Sequence, residues 1–455
     1  MAETLAKNEK YLFEEMPVAR AVATLAIPTI ISQIVTMIYN LADTFFVGQI
    51  GDPLMVAAVS LVSPWFNLLT ALGNLFGLGG SSLISRMLGA KNHRDVKHVA
   101  AFSIWGGAVT TLLFSLMTYV FRAPLLRFLG ASPDTYGYAE DYLFWVVVLG
   151  GVPTMVSLAM GHLLRSEGHA RPASAGMMFG GILNVVLDPV FIFVFHLNVA
   201  GAAIATALSN AASVVFFAIQ YIRLRGRTDV SLHPRHFTFR FIRPIFSVGL
   251  ASALATALGN ASNMVMVHLA SGYGDIPSPP TAWSNASTSS RSTSPWACVR
   301  VSCRWWVNNY AAKNYERMRR VSTFSWKAAV NLSVGFVTCF AAFASQILHL
   351  FIPEAQTSSL GAQFLRVACL AVPLTSVNFL ISYTLQAMGK GVQSACLTAC
   401  RQGLLNIPLL IAMNVLIGLF GMIWTQFVVE IIMLPVSLGM YMHVLRSLKA
   451  SQAQS

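Results

Sequence analysis

The sequence predicts an all-α membrane protein, and three observations carry that prediction. Hydrophobic residues fill 55% of the 455 positions and charged ones only 10%, where a water-facing domain carries about 25%. Apolar runs of about 20 residues recur along the chain, each long enough to cross a hydrocarbon core of about 30 Å. Lys and Arg gather in alternate loops instead of spreading over a surface. Lipid offers a backbone no hydrogen-bond partners, so such runs must be helices; membrane-barrel strands are shorter and alternate in polarity.

Met1–Arg20 is polar, includes Glu14 and Glu15, and reads as a short amphipathic segment on the membrane surface, not as a cleavable leader. Eleven apolar segments follow, near 21–47, 54–85, 99–121, 137–162, 172–195, 199–222, 241–269, 321–344, 359–385, 391–416 and 420–445. Basic residues mark the N-terminus (Lys7, Lys10, Arg20), the loop after the second segment (Arg86, Lys91, Arg94, Lys97), and the pair Arg165 and Arg171. The longest basic loop holds Arg223, Arg225, Arg227, Arg235, Arg240 and Arg243, and later come Lys313, Arg317, Arg319, Arg320, Lys390, Arg446 and Lys449. The intervening loops hold almost none, Arg122 and Arg127 excepted. The positive-inside rule places the basic loops, and both termini, in the cytoplasm. The net charge of +13 is thereby explained without nucleic acid.

Eleven spans conflict with that orientation. The segment ending near Gly274 finishes outside, and the basic Lys313–Arg320 stretch lies inside, so something between them must cross. Yet 277–307 holds Ser, Thr or Pro at 15 of 31 positions and is too polar and Pro-broken to span. Composition alone reads it as a Ser/Thr/Pro loop. The genetic code offers another reading. Serine codons of the TCN type, read one base out of phase, give Phe, Leu, Ile or Val, and shifted Trp and Cys codons give mostly Leu, Met or Val. Two compensating single-base changes, near Ile276 and Asn308, would turn an apolar helix into this stretch.

The chain also repeats itself. Gly89-Ala90-Lys91-Asn92 returns as Ala311-Ala312-Lys313-Asn314, Gly51-Asp52 as Gly274-Asp275, and Val152-Pro153 as Val372-Pro373. Gly168 is matched by Gly389, and Pro189 by Pro408. Such a period predicts two six-helix units, and an even number per unit keeps them in the same orientation. The expected layout is a cytoplasmic segment 1–20, an N-terminal lobe 21–222, a basic linker 223–243, a C-terminal lobe 244–445 with 277–307 anomalous, and a cytoplasmic tail 446–455. Twelve transmembrane helices result, the eighth scrambled by the frameshift.

A charge at bilayer depth costs at least about 2.5–3.5 kcal/mol, so each one demands a reason. Asp43 lies near the outer end of the first segment; Asn184 and Asp188 lie on the fifth at similar depth, one turn apart and therefore on one face. Pro189 cannot donate its N–H and frees a carbonyl as a further oxygen ligand. Two carboxylates with amide and carbonyl oxygens suit a proton or Na⁺, and burial with like charge brings protonation within reach. The plainer reading has each Asp capping or pairing locally, Asp188 bridging to Asn184. Thr206 and Asn210 lie within reach of the cluster or serve ordinary packing. Lys327, Arg366, Arg401 and Glu430 are further charges within the second half, the first two placed to snorkel. The 29 Phe and 19 Met suit an adaptable apolar cavity, and equally a lipid-facing surface. The six cysteines show no metal or disulfide spacing; Cys396 and Cys400 share a face and read as buried small residues. No nucleotide-binding loop, metal motif or nucleophile elbow is present in the sequence, which argues against an ATP-driven pump and against an enzyme.

Several motifs in order resemble one family over nearly the whole chain. They are Ala26-Ile27-Pro28, Tyr39-Asn40-Leu41-Ala42-Asp43-Thr44, Val47-Gly48, Gly89-Ala90-Lys91-Asn92, Leu164-Arg165-Ser166-Glu167-Gly168, Asn184-Val185-Val186-Leu187-Asp188-Pro189 and Gly201-Ala202-Ala203-Ile204-Ala205-Thr206. The family is the multidrug and toxic compound extrusion (MATE) transporters, in the bacterial and archaeal branch with a helix 1 aspartate. The resemblance implies two six-helix lobes in a V, a monomer in the bacterial inner membrane, and export of cationic or amphipathic drugs against H⁺ or Na⁺. It places Asp43, Asn184, Asp188 and Thr206 in a cation site of the N-terminal lobe, with no cofactor besides the coupling ion. Its departure is 277–307, where the family has helix 8. Two rivals stand beside this expectation: a flippase for lipid-linked oligosaccharides, and a non-functional product of a frameshifted gene.

Overall fold

The structure is a computed structural model. It describes Ile27, most positions of 31–50, residues 52–271 apart from 91 and 227, and residues 315–342 and 355–453. The expected surface segment 1–20 and the anomalous 277–307 lie outside these residues, and with them the full count of twelve helices. The described residues are all-helical, and eight of the helices are long and apolar enough to cross a membrane, or nine counting one bent pair as a single span. The chain divides into two compact units: Met1–Ala257 with Val307–Lys313, and Leu258–Trp306 with Asn314–Ser455.

Unit 1 contains α1 (helical residues within 31–48), α2 (Pro53–Gly89), α3 (Val96–Val120) and the short α4 (Arg122–Phe128). It continues with α5 (Pro133–Leu149) and α6 (Gly151–Ser166), α7 (Ala170–Val194), α8 (Asn198–Arg223) and the first half of α9 (Ile242–Ser271). The starts are written in the sequence. Asp52 caps α2, its side chain accepting from Leu54 N, with Pro53 in the first turn. Ser132 and Thr135 form a reciprocal capping box at α5, again with Pro at the first position. The expected segment 137–162 is real but broken: α5 and α6 meet at Gly150 with a 46° bend. The last turn of α5 is π-helical over Phe144–Leu149, and π-turns also interrupt α3 (Phe102–Gly106) and α7 (Val190–Val194). Hydrophobic periodicity alone does not announce a π-turn, which adds one residue to a turn without changing composition.

The core of unit 1 packs Phe76, Ile84, Val99, Phe102, Met155, Leu163, Leu164 and Phe217, all nearly inaccessible. The outward faces are equally apolar: Leu112, Leu113, Leu116 and Val120 on α3 are each more than half exposed. An aqueous surface would not tolerate such a belt, and a hydrocarbon one requires it. The basic linker folds back on this unit. The buried Glu167 carboxylate accepts from Thr228 Oγ1 at 2.5 Å and from the backbone N–H groups of Asp229 and Val230 at 2.9 and 3.1 Å. His93 meets Asp229 at 2.6 Å, His98 Nδ1–H donates to the His236 carbonyl at 2.8 Å, and Trp105 Nε1–H donates to the Leu232 carbonyl at 2.9 Å. Burial outweighs the three hydrogen bonds and pushes the Glu167 carboxyl up to about 6. The exceptional Arg122 is answered by Glu140 at 2.5 Å.

Unit 2 holds the rest of α9, then α10 (Tyr315–Ala342), α11 (Ala355–Ala387), α12 (Gly391–Ile417) and α13 (Leu419–Ala453). Helices α10 and α11 are stitched by the Ser333–Ser376 hydroxyl pair at 2.7 Å. The α12–α13 turn uses Gly418 at φ 74°, a left-handed conformation that glycine adopts without strain. One sequence expectation is corrected here. Cys396 is exposed and Cys400 only half-buried. Inside a bilayer a small apolar side chain loses nothing by facing lipid, so its type does not predict burial. Lys327 is exposed, and Arg366, likewise exposed, donates to the Ala341 carbonyl at 3.4 Å.

Candidate functional site

The site in unit 1 is built on one ridge of α7. Gly176, Gly180, Asn184 and Asp188 follow one another at every fourth residue, so they share a face. The two glycines let α8 approach, since a Cβ at Gly176 would collide with the Phe217 ring and one at Gly180 with Ser213 Oγ. Gly181, one position round, does the same for α1: its Cβ would come within 2.8 Å of the Tyr39 ring. Small residues that admit close helix approach are how membrane helices gain packing without a hydrophobic driving force. The same stripe therefore brings α1 and α8 to the polar end of α7.

There Asp188 is fully buried, with no accessible surface, and Asn184 is 3% exposed. Asn184 Nδ2 donates to Asp188 Oδ1 at 3.2 Å and to Thr206 Oγ1 on α8 at 3.4 Å. Asp188 Oδ2 has no hydrogen-bond partner among the described residues. Asp43 on α1 lies within electrostatic reach of Asp188. The structure thus brings Asp43, Asn184, Asp188 and Thr206 into one neighbourhood. The local bridge from Asp188 to Asn184 is present too, but it occupies one carboxylate oxygen and leaves the other. Asn210 goes elsewhere, donating to Thr154 Oγ1 at 3.0 Å. After Pro189 the helix runs as the π-turn Val190–Val194, closed by Phe195 N to Val190 O at 3.0 Å. Proline has no N–H to give the Val185 carbonyl.

Two tyrosines complete the surroundings and were not singled out from the sequence. Tyr142 on α5 is buried and lies within electrostatic reach of both Asp43 and Asp188. Tyr39, which reaches Asp43, sits one helical turn before it. The i, i+4 spacing of Tyr39 and Asp43 was a readable signal; nothing local pointed to Tyr142, because tertiary packing alone brings α5 to the site. Two carboxylates within electrostatic reach of each other in a medium of low dielectric repel, and a proton or small cation relieves that repulsion. Phenol, amide and hydroxyl groups around them supply neutral oxygen donors of the kind hard cations prefer.

Comparison with known proteins gives this arrangement its context. The MatE family model matches residues 28–190 and 306–412, more than half of the chain. The multidrug export protein MepA of Staphylococcus saprophyticus is 31% identical over 431 residues, covering 94% of each chain. Two solved structures share the fold. One is the Vibrio cholerae MATE transporter VcmN in the bent form (TM-score 0.82, 20% identity, 95% of this chain and 98% of that one). The other is an outward-facing multidrug resistance MATE transporter of the MOP superfamily (TM-score 0.85, 25% identity, 97% and 98%). With the family model, the full-length relative and the fold in agreement, the chain belongs to the MATE family of efflux transporters.

Proposed function

We propose that this multi-pass membrane protein exports cationic or amphipathic small molecules in exchange for H⁺ or Na⁺, with Asp188 and Asp43 carrying the coupling ion. The observation that supports this most is Asp188 Oδ2, an oxygen of a fully buried carboxylate that has no hydrogen-bond partner among the described residues, on a residue within electrostatic reach of Asp43. A buried charge so incompletely satisfied is costly at rest and gains by taking up a cation. Asn184 orients Asp188 and Thr206 orients Asn184, so the ligand geometry is held by α7 and α8 together.

Cation and drug compete in this reading. Loading the carboxylates with H⁺ or Na⁺ removes the negative field that attracts a cationic drug, and drug is released as the cation binds. A ligand shifts a two-state equilibrium only by its differential affinity, so exchange requires that the two occupants favour opposite states. The relatives bearing multidrug-export names do not favour the flippase alternative. The bacterial inner membrane, cytoplasmic termini and a monomeric state belong to the same proposal. So does the compensating frameshift around 277–307, which the gene sequence across codons 270–315 tests directly. For the transport reading, Asp188→Asn is expected to lower drug efflux at least tenfold while membrane abundance stays at the wild-type level. Efflux at the wild-type rate overturns it.

A further inference from the structure

Unit 2 contains a second buried carboxylate in different company. Of its four acidic residues, Asp275, Glu316, Glu354 and Glu430, Glu430 lies in the apolar middle of α13 and is 0% exposed. Three side chains donate to it. Arg401 Nη1 and Gln426 Nε2 reach Oε1 at 2.8 and 2.6 Å, and Asn378 Nδ2 reaches Oε2 at 2.7 Å. All three partners are N–H donors. A protonated Glu430 would have to aim its own O–H at one of them, so this cage fits the ionised form. A turned amide of Asn378 or Gln426 would be needed to offer an acceptor, and turning Gln426 would also give up its bond from Asn406.

The cation of the pair is buried too, bonded through Nη1 with its Nε lacking a partner among the described residues. Arg401 belongs to the π-turn Cys400–Leu404 of α12, is 3% exposed, and lies with its guanidinium carbon 3.9 Å from the centre of the Phe379 ring. Facing Glu430, α12 presents Arg401, α11 presents the neutral Asn378, and α13 itself presents Gln426, which in turn accepts from Asn406 at 3.3 Å. Among the described residues Glu430 makes no other ion pair.

We propose that Arg401 is a built-in counter-cation that closes the carboxylate of unit 2 to exchangeable ions, and that removing it opens a latent site for H⁺ or a monovalent cation at Glu430. Among the described residues, Asp188 in unit 1 has a neutral amide as its hydrogen-bond partner and one oxygen left over; Glu430 has a guanidinium tethered to the chain, which cannot dissociate. Arg401 is thereby the residue that confines cation coupling to unit 1, a consequence that rests on the reading of Asp188 given above. Closure of Glu430 stands without it.

Purified full-length protein, titrated between about pH 5 and about pH 9 by infrared difference spectroscopy, counts the carboxylic acids that take up protons. The double variant R401M/E430Q removes both charges together, a replacement that buried pairs commonly tolerate. It is expected to show the same number of titrating acids as wild type; loss of one overturns the proposal. R401M alone is expected to gain one titrating acid that is absent from the double variant, and no gain overturns it as well. Should R401M fail to accumulate, the double variant decides. Asp188→Asn in the same assay tests unit 1 separately. Unchanged titration there, together with a gain in R401M, would refute proton coupling at Asp188 and leave the closure of Glu430 standing.

Discussion

Asp188 in unit 1 and Glu430 in unit 2 are both fully buried carboxylates on apolar helices, and they differ in what surrounds them. Glu430 has both oxygens filled by three donors, one of them a guanidinium. Asp188 has one oxygen on an amide and the other without a partner among the described residues. Burial alone therefore does not identify a functional carboxylate. The distinction proposed between them lies in the shell, because a group already satisfied gains little from a transported ion and a group left short gains much.

The largest expected effect lies in stability. Glu430→Ala leaves Arg401 buried without its counter-ion, which should cost about 3–5 kcal/mol, whereas Asp188→Asn keeps a carbonyl oxygen that can accept from Asn184 and should cost about 1 kcal/mol or less. Melting temperatures in detergent measure both, and equal losses would erase the contrast between the units. Next comes the scaffold of the unit 1 site. Gly176→Val pushes a branched side chain into the Phe217 ring and should destabilise by about 1–3 kcal/mol, with efflux falling because α7 and α8 separate below Asn184. Retained stability with normal efflux would show that the glycine stripe does not position the site.

The smallest effect is the pH response of the linker clasp. Glu167 is raised from 4.5 to about 6 by burial, so its protonation favours the folded form. That contribution is fully present below about pH 4.5 and is lost as pH rises through about 6, a change of about 2 kcal/mol at most. The melting temperature of wild type should therefore fall between about pH 5 and about pH 7.5 more steeply than that of Glu167→Gln. Parallel curves for the two proteins would remove Glu167 from the account.

Much of this was legible in the sequence, for physical reasons. Lipid forces any run long enough to span into a helix, so the ends of α7 and α8 fall within a few residues of the expected 172–195 and 199–222. Asn184 and Asp188 were recognisable as a pair because helical spacing puts them on one face. What escaped was set by contacts between distant segments. Tyr142 reaches the aspartates only after α5 packs against the rest of the unit. Arg401 and Glu430 were each visible as membrane-depth charges, yet 29 residues separate them and their pairing appears only in three dimensions. The break at Gly150 and the π-turns leave composition unchanged, and the exposure of Cys396 reflects a solvent that does not sort small residues by polarity.

The central claim is that Asp188 carries the coupling ion, and countertransport tests it most directly. Purified protein in liposomes is given an outward drug gradient, and uptake of H⁺ or Na⁺ is followed with an ion-sensitive dye for wild type and Asp188→Asn. The account predicts drug-driven cation movement in wild type and none in the variant, with both proteins folded and inserted to the same extent. Cation movement of undiminished size in Asp188→Asn would contradict it.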